Sequence, residues 1–79
     1  MKDQVILRDY LKEYEDSDLN FIIDAFVDTD KYHFIFSGQG KAKNLLNDCL
    51  SLYILSMPIQ AIEPDFYLDD VITITVVRN

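Results

Sequence analysis

The sequence has little of several residue types on which common site chemistries depend. Its 79 residues include one cysteine, one histidine, two glycines, two prolines and no tryptophan. A single cysteine excludes an intramolecular disulfide, and with one histidine it cannot supply the four ligands of a His and Cys zinc site. No apolar run approaches the roughly 18 residues of a membrane-spanning helix, and the N-terminus lacks the apolar core of a signal peptide. We therefore expect a cytoplasmic protein without a metal or other cofactor.

Basic residues are also scarce. Seven Lys and Arg stand against fourteen Asp and Glu, so the net charge is −7 and the pI ≈ 4.3. Binding to nucleic-acid phosphates requires clustered basic side chains, and here only Lys41 and Lys43 lie close together. We therefore expect no direct binding to nucleic acid or to an anionic membrane. An acidic surface instead favours solubility or attraction to a basic partner.

The sequence does contain enough apolar material for one folded core. Hydrophobic residues make up 49% of the chain and aromatic residues 13%, which is too apolar for a disordered protein. A chain of this length has room for one domain, so residues 1–79 are expected to fold as a single unit.

Periodicity predicts a helix and then a β-hairpin. Residues 4–15 have the spacing of an amphipathic helix, with Asp3 as its N-cap. The apolar stripe of this helix consists of Leu7, Tyr10, Leu11 and Tyr14. Residues 21–27 and 31–37 are rich in aromatic and β-branched side chains, and the polar segment 28–30 separates them, which predicts two antiparallel strands.

The second half of the chain predicts another helix and two more strands. The helix covers about 42–54 and ends before Pro58, because the residue preceding a proline disfavours helix. Its apolar stripe includes Cys49, interpreted as a small buried thiol. Strands follow at 58–63 and 71–77. An alternative joins residues 52–63 into one long strand.

Together these elements predict an α+β fold in the order α-β-β-α-β-β. We expect a small, antiparallel-rich sheet of about four strands with two helices on one face. Strand 71–77 is apolar on both sides except for its threonines. At the edge of the sheet it would favour pairing with a second copy, whereas in the centre it would be covered on both faces.

The segment FIFSGQGKAKN, residues 34–44, resembles a phosphate-binding loop only superficially. A P-loop requires Ser or Thr after Gly-Lys and a glycine five residues before the second glycine, but these positions hold Ala42 and Ile35. The third glycine of the Rossmann pattern is also missing. We interpret the segment as a strand-to-helix turn in which Gly38 and Gly40 supply positive φ.

Other catalytic or metal-binding patterns also fail. DSDLN, residues 16–20, begins like a calcium loop, but Phe21 and Val27 occupy the positions of the required glycine and glutamate. A nucleophilic pair of Cys49 and His33 is the one enzymatic alternative. Acidic pairs are too common in this chain to indicate a glycosidase. We therefore do not expect an enzyme.

Carboxylates are concentrated in three segments, 13–18, 24–30 and 63–70, and aromatic residues lie among them. One interpretation is a solvated acidic surface with turn-forming aspartates. The other is an interface for a basic protein, in which several of these residues form one surface. The candidate partner-binding residues are Tyr14, Glu15, Asp16, Asp18, Asp28, Asp30, Asp65, Phe66, Tyr67, Asp69 and Asp70.

The opening VILRDYLKEYEDSDLNFIID, with LLND and the final VITITVV, resembles small proteins encoded by phages and prophages of Gram-positive bacteria. The resemblance covers about the first third and the end of the chain, and it carries no catalytic motif. It implies an accessory role in phage–host conflict, in the host cytoplasm, comparable to anti-CRISPR and anti-restriction inhibitors.

Two functional hypotheses follow. The first is a small acidic protein-binding module that blocks a basic, nucleic-acid-binding host protein by occupancy. The second is a self-associating structural factor that forms a homodimer through sheet edges.

Overall fold

A computed structural model describes residues 5–28, 30–31, 33–65 and 67–78, which form an α+β fold around one mixed sheet. The four strands are β1 (Asn20–Val27), β2 (His33–Lys41), β3 (Ile59–Pro64) and β4 (Val71–Arg78). The helical segments are α1 (Leu7–Glu13), α2 (Ala42–Asn44), a π-helical turn (Leu45–Cys49) and α3 (Leu52–Leu55). The order therefore departs from the predicted one, since three short helical segments stand between β2 and β3 in place of one helix.

The sheet has the strand order β2-β1-β4-β3. The pairs β1–β2 and β3–β4 are antiparallel, as expected of hairpins, but β1 and β4 are parallel. In β4, Ile74 and Val76 are buried on one face, and Val71 and Val77 are buried on the other. A strand that is apolar on both faces is most stable in the centre of a sheet. Of the two alternatives for residues 71–77, the structure therefore shows the central position and not the edge.

The buried core combines strand residues with residues of the helical segments. Alternate β1 residues Phe21, Ile23 and Ala25 are fully buried, and β4 residues pair with them in register. Leu7 and Leu11 of α1 belong to the same buried cluster. Burying each large apolar side chain contributes roughly 1.5–3 kcal/mol, so this cluster is the main source of stability.

Helix α1 is shorter than predicted because the chain before it is extended. Ile6 occupies the N-cap position with φ −89° and ψ 142° and makes an isolated bridge with Pro58. The backbone N of Ile59 donates to the carbonyl of Val5 (2.8 Å). These bonds extend pairing from β3 and hold the chain out of a helix until Leu7. The predicted N-cap, Asp3, lies outside the described residues.

The predicted helix 42–54 is interrupted. Leu50 donates to the carbonyl of Leu45 (3.2 Å), a π-type bond, and then adopts extended angles. Ser51 starts α3 by accepting a hydrogen bond from the backbone N of Ile54 (3.4 Å), as N-cap serines do. The π-type turn brings Leu50 rather than Cys49 below Leu45 on the core side, so Cys49 is exposed. The prediction of a buried thiol is therefore wrong, as is the alternative of one strand over 52–63.

Both glycines lie within β2, so the predicted strand-to-helix turn is also wrong. The predicted positive φ is present at Gly40 (158°) but absent at Gly38. A Cβ on Gly38 would stand 2.8 Å from Cε2 of Phe36. Glycine at position 38 therefore makes room for the Phe36 ring, which packs against the core.

Candidate partner-binding surface

Two of the three acidic segments meet at one end of the sheet. The backbone N of Asn20 donates to the carbonyl of Asp70 (2.8 Å). Since β1 and β4 are parallel and Asn20 is in register with Val71, the residues preceding both strands lie side by side. We call this region the acidic end. It comprises Glu15, Asp16, Asp18, Asp65, Tyr67, Leu68, Asp69 and Asp70.

Asp65 shapes the loop that presents the aromatic part of the acidic end. Its Oδ1 accepts hydrogen bonds from the backbone N of Tyr67 (2.8 Å) and of Leu68 (2.9 Å). The side chains of Tyr67 and Leu68 are 88% and 54% exposed. The Asp65 carboxylate therefore acts on its own loop, and the adjacent candidate Phe66 lies outside the described residues.

Two lysines border the acidic end. An open groove of about 270 Å³ is lined by Glu15, Asp16, Ser17, Asp18, Lys41, Lys43 and Asn44. Lys41 Nζ lies 3.5 Å from Asp18 Oδ1, and the Asp18 side chain is 98% exposed. Ion pairs so accessible to water are weak. The pair therefore neutralises only part of the negative charge.

The third acidic segment lies at the other end of the sheet and does not join this surface. We call that region the hairpin end, formed by Asp28, Asp30, Lys31 and Arg78. It is separated from the acidic end by the eight residues of β1, about 25 Å at roughly 3.3 Å per residue. Of the three acidic segments from which one surface was expected to draw several residues, two therefore lie together and the third lies apart.

At the hairpin end, Asp28 has a structural role. It adopts φ 67°, in the left-handed region, which Asp tolerates better than most residues. Its Oδ1 accepts from the backbone N of Asp30 (3.1 Å), and its own N donates to the carbonyl of Arg78 (2.7 Å). Asp24, in mid-strand, is also engaged, since its Oδ1 accepts from the hydroxyl of Ser37 (2.9 Å).

Tyr14 packs on the core and is half-buried. Its ring centroid is 5.0 Å from that of Tyr10 and 5.7 Å from that of Phe21. Burial raises the pKa of Tyr10 to about 12, assisted by a hydrogen bond to Tyr14 and by the charges of Tyr14 and Glu13. Tyr14 thus contributes to a packed aromatic cluster, which leaves Tyr67 as the more exposed aromatic candidate.

Sequence analysis missed the exposed apolar residues of β2. The register of β1 and β2 shifts between Ala25 and Phe26. Beyond this bulge, Phe34 contacts Phe26 with ring centroids 5.6 Å apart and is 58% exposed, and Ile35 is 42% exposed. The consecutive apolar residues of FIF were the available signal, because adjacent strand residues point to opposite faces.

The candidate nucleophilic pair of His33 and Cys49 comes from two different parts of the fold. His33 begins β2 at the hairpin end, whereas Cys49 follows the opposite end of that strand. Within the described ranges, no group of three His, Cys, Asp or Glu side chains is placed to hold a metal ion. Among the same residues, no helix has the length and apolar character needed to cross a membrane.

Comparisons with protein-family models, with curated proteins and with solved structures return no match. Function is therefore inferred from the surface itself.

Proposed function

We propose that this protein is a small acidic binding module that docks through its acidic end on a basic protein. The negative charge of the protein suits one form of this activity best, in which it blocks a nucleic-acid-binding host protein by occupancy. A phage origin and a location in the host cytoplasm belong to the same proposal, on the resemblance described above.

The observation that carries the proposal is the meeting of two acidic segments around exposed apolar side chains. Glu15, Asp16, Asp69 and Asp70 are all exposed, and Tyr67 and Leu68 project from the same end. Aromatic residues surrounded by charged rims are typical of interface anchors. Clustered carboxylates accelerate and orient association with a basic surface.

The charge of the whole chain supports the same partner. A net charge of −7 on 79 residues produces a field that repels nucleic acid and attracts basic proteins. A basic protein that binds nucleic acid already carries a surface for anionic groups. Carboxylates arranged at one end of a compact domain would compete with nucleic acid for that surface.

The test uses two double variants that change the net charge equally. Asp69→Asn with Asp70→Asn alters the acidic end, and Asp28→Asn with Asp30→Asn alters the hairpin end. Asp65 is left intact because it holds its loop. The immobilised protein is exposed to nuclease-treated bacterial lysate across a salt series, and affinity is then measured with the purified captured protein.

We expect the acidic-end variant to bind roughly fivefold more weakly, since each exposed ion pair contributes about 0.2–1 kcal/mol. The hairpin-end variant should bind like the parent protein. Tyr67→Ala should weaken binding on the order of tenfold if this ring is an anchor. Equal losses in both double variants would show that only net charge matters, and unchanged affinity in the acidic-end variant would refute the proposal.

Self-association through sheet edges is the second candidate. β4 is central, so this function would have to use β2 or β3, the edge strands. The exposed Phe34 and Ile35 of β2 are the features that favour it. A monomeric mass by light scattering at high protein concentration would refute it.

A further inference from the structure

The outer edge of β2 is the more accessible edge of the sheet. Among the described strands, β2 pairs with β1 alone, and its nine residues contain neither proline nor carboxylate. The opposite edge, β3, begins where Ile6 bridges Pro58 and ends at Pro64, which has no N–H to donate. Covering segments, prolines, charges and bulges are the means by which natural sheet edges avoid pairing. Between its bulge and Lys41, β2 has none of these features.

The hydrogen bonds of β1 show which backbone groups of β2 face outward. The backbone N atoms of Asn20 and Asp28 donate to carbonyls on the β4 side, over 2.8 and 2.7 Å. Because backbone groups point alternately to the two sides of a strand, the even-numbered residues of β1 bond β4 and the odd-numbered ones bond β2. The β2 partners of these odd-numbered residues are Phe36, Gly38 and Gly40. The N–H and C=O groups of Ser37, Gln39 and Lys41 therefore point to the open edge.

On the core side, the same stretch of β2 carries one large side chain and two glycines. Phe36 packs against the core, and its ring covers Gly38, where a Cβ would stand 2.8 Å from Cε2 of the ring. At Gly40 the nearest atoms to such a Cβ belong to Leu45, at 3.8 Å. There is therefore room beside Gly40 for a large side chain from a neighbouring strand.

We propose that a second copy of this chain pairs antiparallel with β2 about a two-fold axis at Gly38. In this register Phe36 of each copy lies opposite Gly40 of the other, and Ser37 pairs with the partner's Gln39. Large against small is self-complementary, as a two-fold interface requires, and an aromatic side chain opposite a glycine stabilises strand pairing. The proposal rests on self-association, the second candidate function, and specifies its edge and register.

The neighbouring registers fit less well. Moving the axis to Ser37 would place Phe36 opposite the partner's Gly38, whose core side the ring of its own chain already covers. Moving the axis to Gln39 would shorten the paired stretch to residues 37–41, because the chain leaves the strand after Lys41. With the axis at Gly38, residues 35–41 are paired.

The charges near β2 permit this pairing. Asp30 and Lys31 lie at the hairpin end, and Lys41 lies 3.5 Å from Asp18 at the other end. Antiparallel pairing brings the hairpin end of one copy to the opposite end of the other, so acidic and basic side chains of both copies mix there. Repulsion remains between two net charges of −7, and salt screens it. Dimerisation should therefore strengthen with salt, whereas docking of the acidic end on a basic protein should weaken.

The test compares two double variants of the facing residues, Ser37→Lys with Gln39→Glu and Ser37→Lys with Gln39→Lys. In the proposed register, the first places opposite charges directly across the interface, and the second places like charges there. Both lose the same hydrogen bond from the Ser37 hydroxyl to Asp24 (2.9 Å). Mass is followed by light scattering across protein concentration and salt. Hydrogen exchange of the β2 amides is measured on the parent protein at low and high concentration.

We expect the parent protein to form a dimer at high concentration, with protection of the amides of Ser37, Gln39 and Lys41. The Lys–Glu variant should dimerise on the order of tenfold more tightly than the Lys–Lys variant, although the Lys–Lys variant carries less net negative charge. Asp69→Asn with Asp70→Asn, at the acidic end, should not weaken dimerisation.

Two results would overturn the proposal in different ways. A monomer at every concentration and salt would refute it together with the second candidate function. A dimer with equal affinity in both double variants, or without protection of the three outward amides, would refute the β2 register alone. Neither result bears on docking by the acidic end, which its own variants test. Because mass and exchange are measured on the parent protein, the test stands even if a variant fails to fold.

Discussion

The two ends of the sheet use carboxylates in different ways. At the hairpin end, Asp28 adopts a left-handed conformation and its carboxylate accepts a hydrogen bond from the backbone N–H of Asp30 in its own turn. At the acidic end, Asp16, Asp69 and Asp70 are exposed, whereas Asp65 holds a loop by two hydrogen bonds. The acidic segments of this sequence therefore contain both turn-forming and surface carboxylates. The backbone geometry distinguishes the two kinds.

The largest expected effect tests the structural role of Asp28. Asp28→Val places a β-branched residue at φ 67°, which costs about 1–3 kcal/mol, and removes the hydrogen bond to Asp30, worth about 1 kcal/mol. We expect the free energy of unfolding in urea to fall by about 2–4 kcal/mol. Asp28→Asn keeps both the conformation and an acceptor, so its effect should stay within about 0.5 kcal/mol. Equal effects of the two variants would show that charge, not geometry, matters at this position.

A smaller effect is expected for Asp65, whose carboxylate holds its loop at the acidic end. Asp65→Ala removes the acceptor of two backbone N–H groups, as loss of a helix N-cap does, and should lower the free energy of unfolding by about 1–2 kcal/mol. The matched variant Asp69→Ala should change it by less than about 0.5 kcal/mol. Both free energies of unfolding are measured in urea. Equal losses in Asp65→Ala and Asp69→Ala would contradict the structural difference between these two carboxylates.

The smallest effect concerns the aromatic cluster of α1 and its pH dependence. Because burial raises the pKa of Tyr10 from 10.0 to about 12, the folded state holds the phenolic proton more tightly than the unfolded state. The stabilisation is fully present below pH 10 and is lost as the pH rises through 12. Tyr14→Phe removes the hydrogen bond and the charge that assist this shift, so the pKa of Tyr10 should fall toward 10.

Ultraviolet absorbance of tyrosinate, followed during a pH titration, measures this change. Tyr67→Phe is the control, since Tyr67 is 88% exposed and lies outside the cluster. An unchanged titration of Tyr10 in Tyr14→Phe would contradict the contribution of Tyr14.

Local patterns predicted part of the fold correctly. The hairpin of β1 and β2 and the strands near 58–63 and 71–77 follow from β-branched and aromatic runs between turn residues. The break after Cys49 was not predictable from apolar spacing, because Ser51 begins a new helix and thereby changes which residues are buried. Gly38 was misassigned for a similar reason, since the Phe36 ring and not a turn explains this glycine.

The candidate surface was predicted in composition but not in arrangement. The sequence identified the acidic segments, and the partner role assigned to them remains a prediction. It could not show that 15–18 and 65–70 lie together while Asp28 and Asp30 lie at the other end, because that depends on the parallel pairing of β1 and β4.

The sequence by itself determined the α+β class, the acidic charge and the strongest strands, because composition and short-range periodicity act within a few residues of the chain. Only the tertiary structure decided that β4 lies beside β1, that β2 is an edge strand and that the carboxylates of Asp28 and Asp65 accept hydrogen bonds from backbone N–H groups. These properties depend on contacts between residues far apart in sequence. Their energies favour one arrangement only when the whole core is assembled.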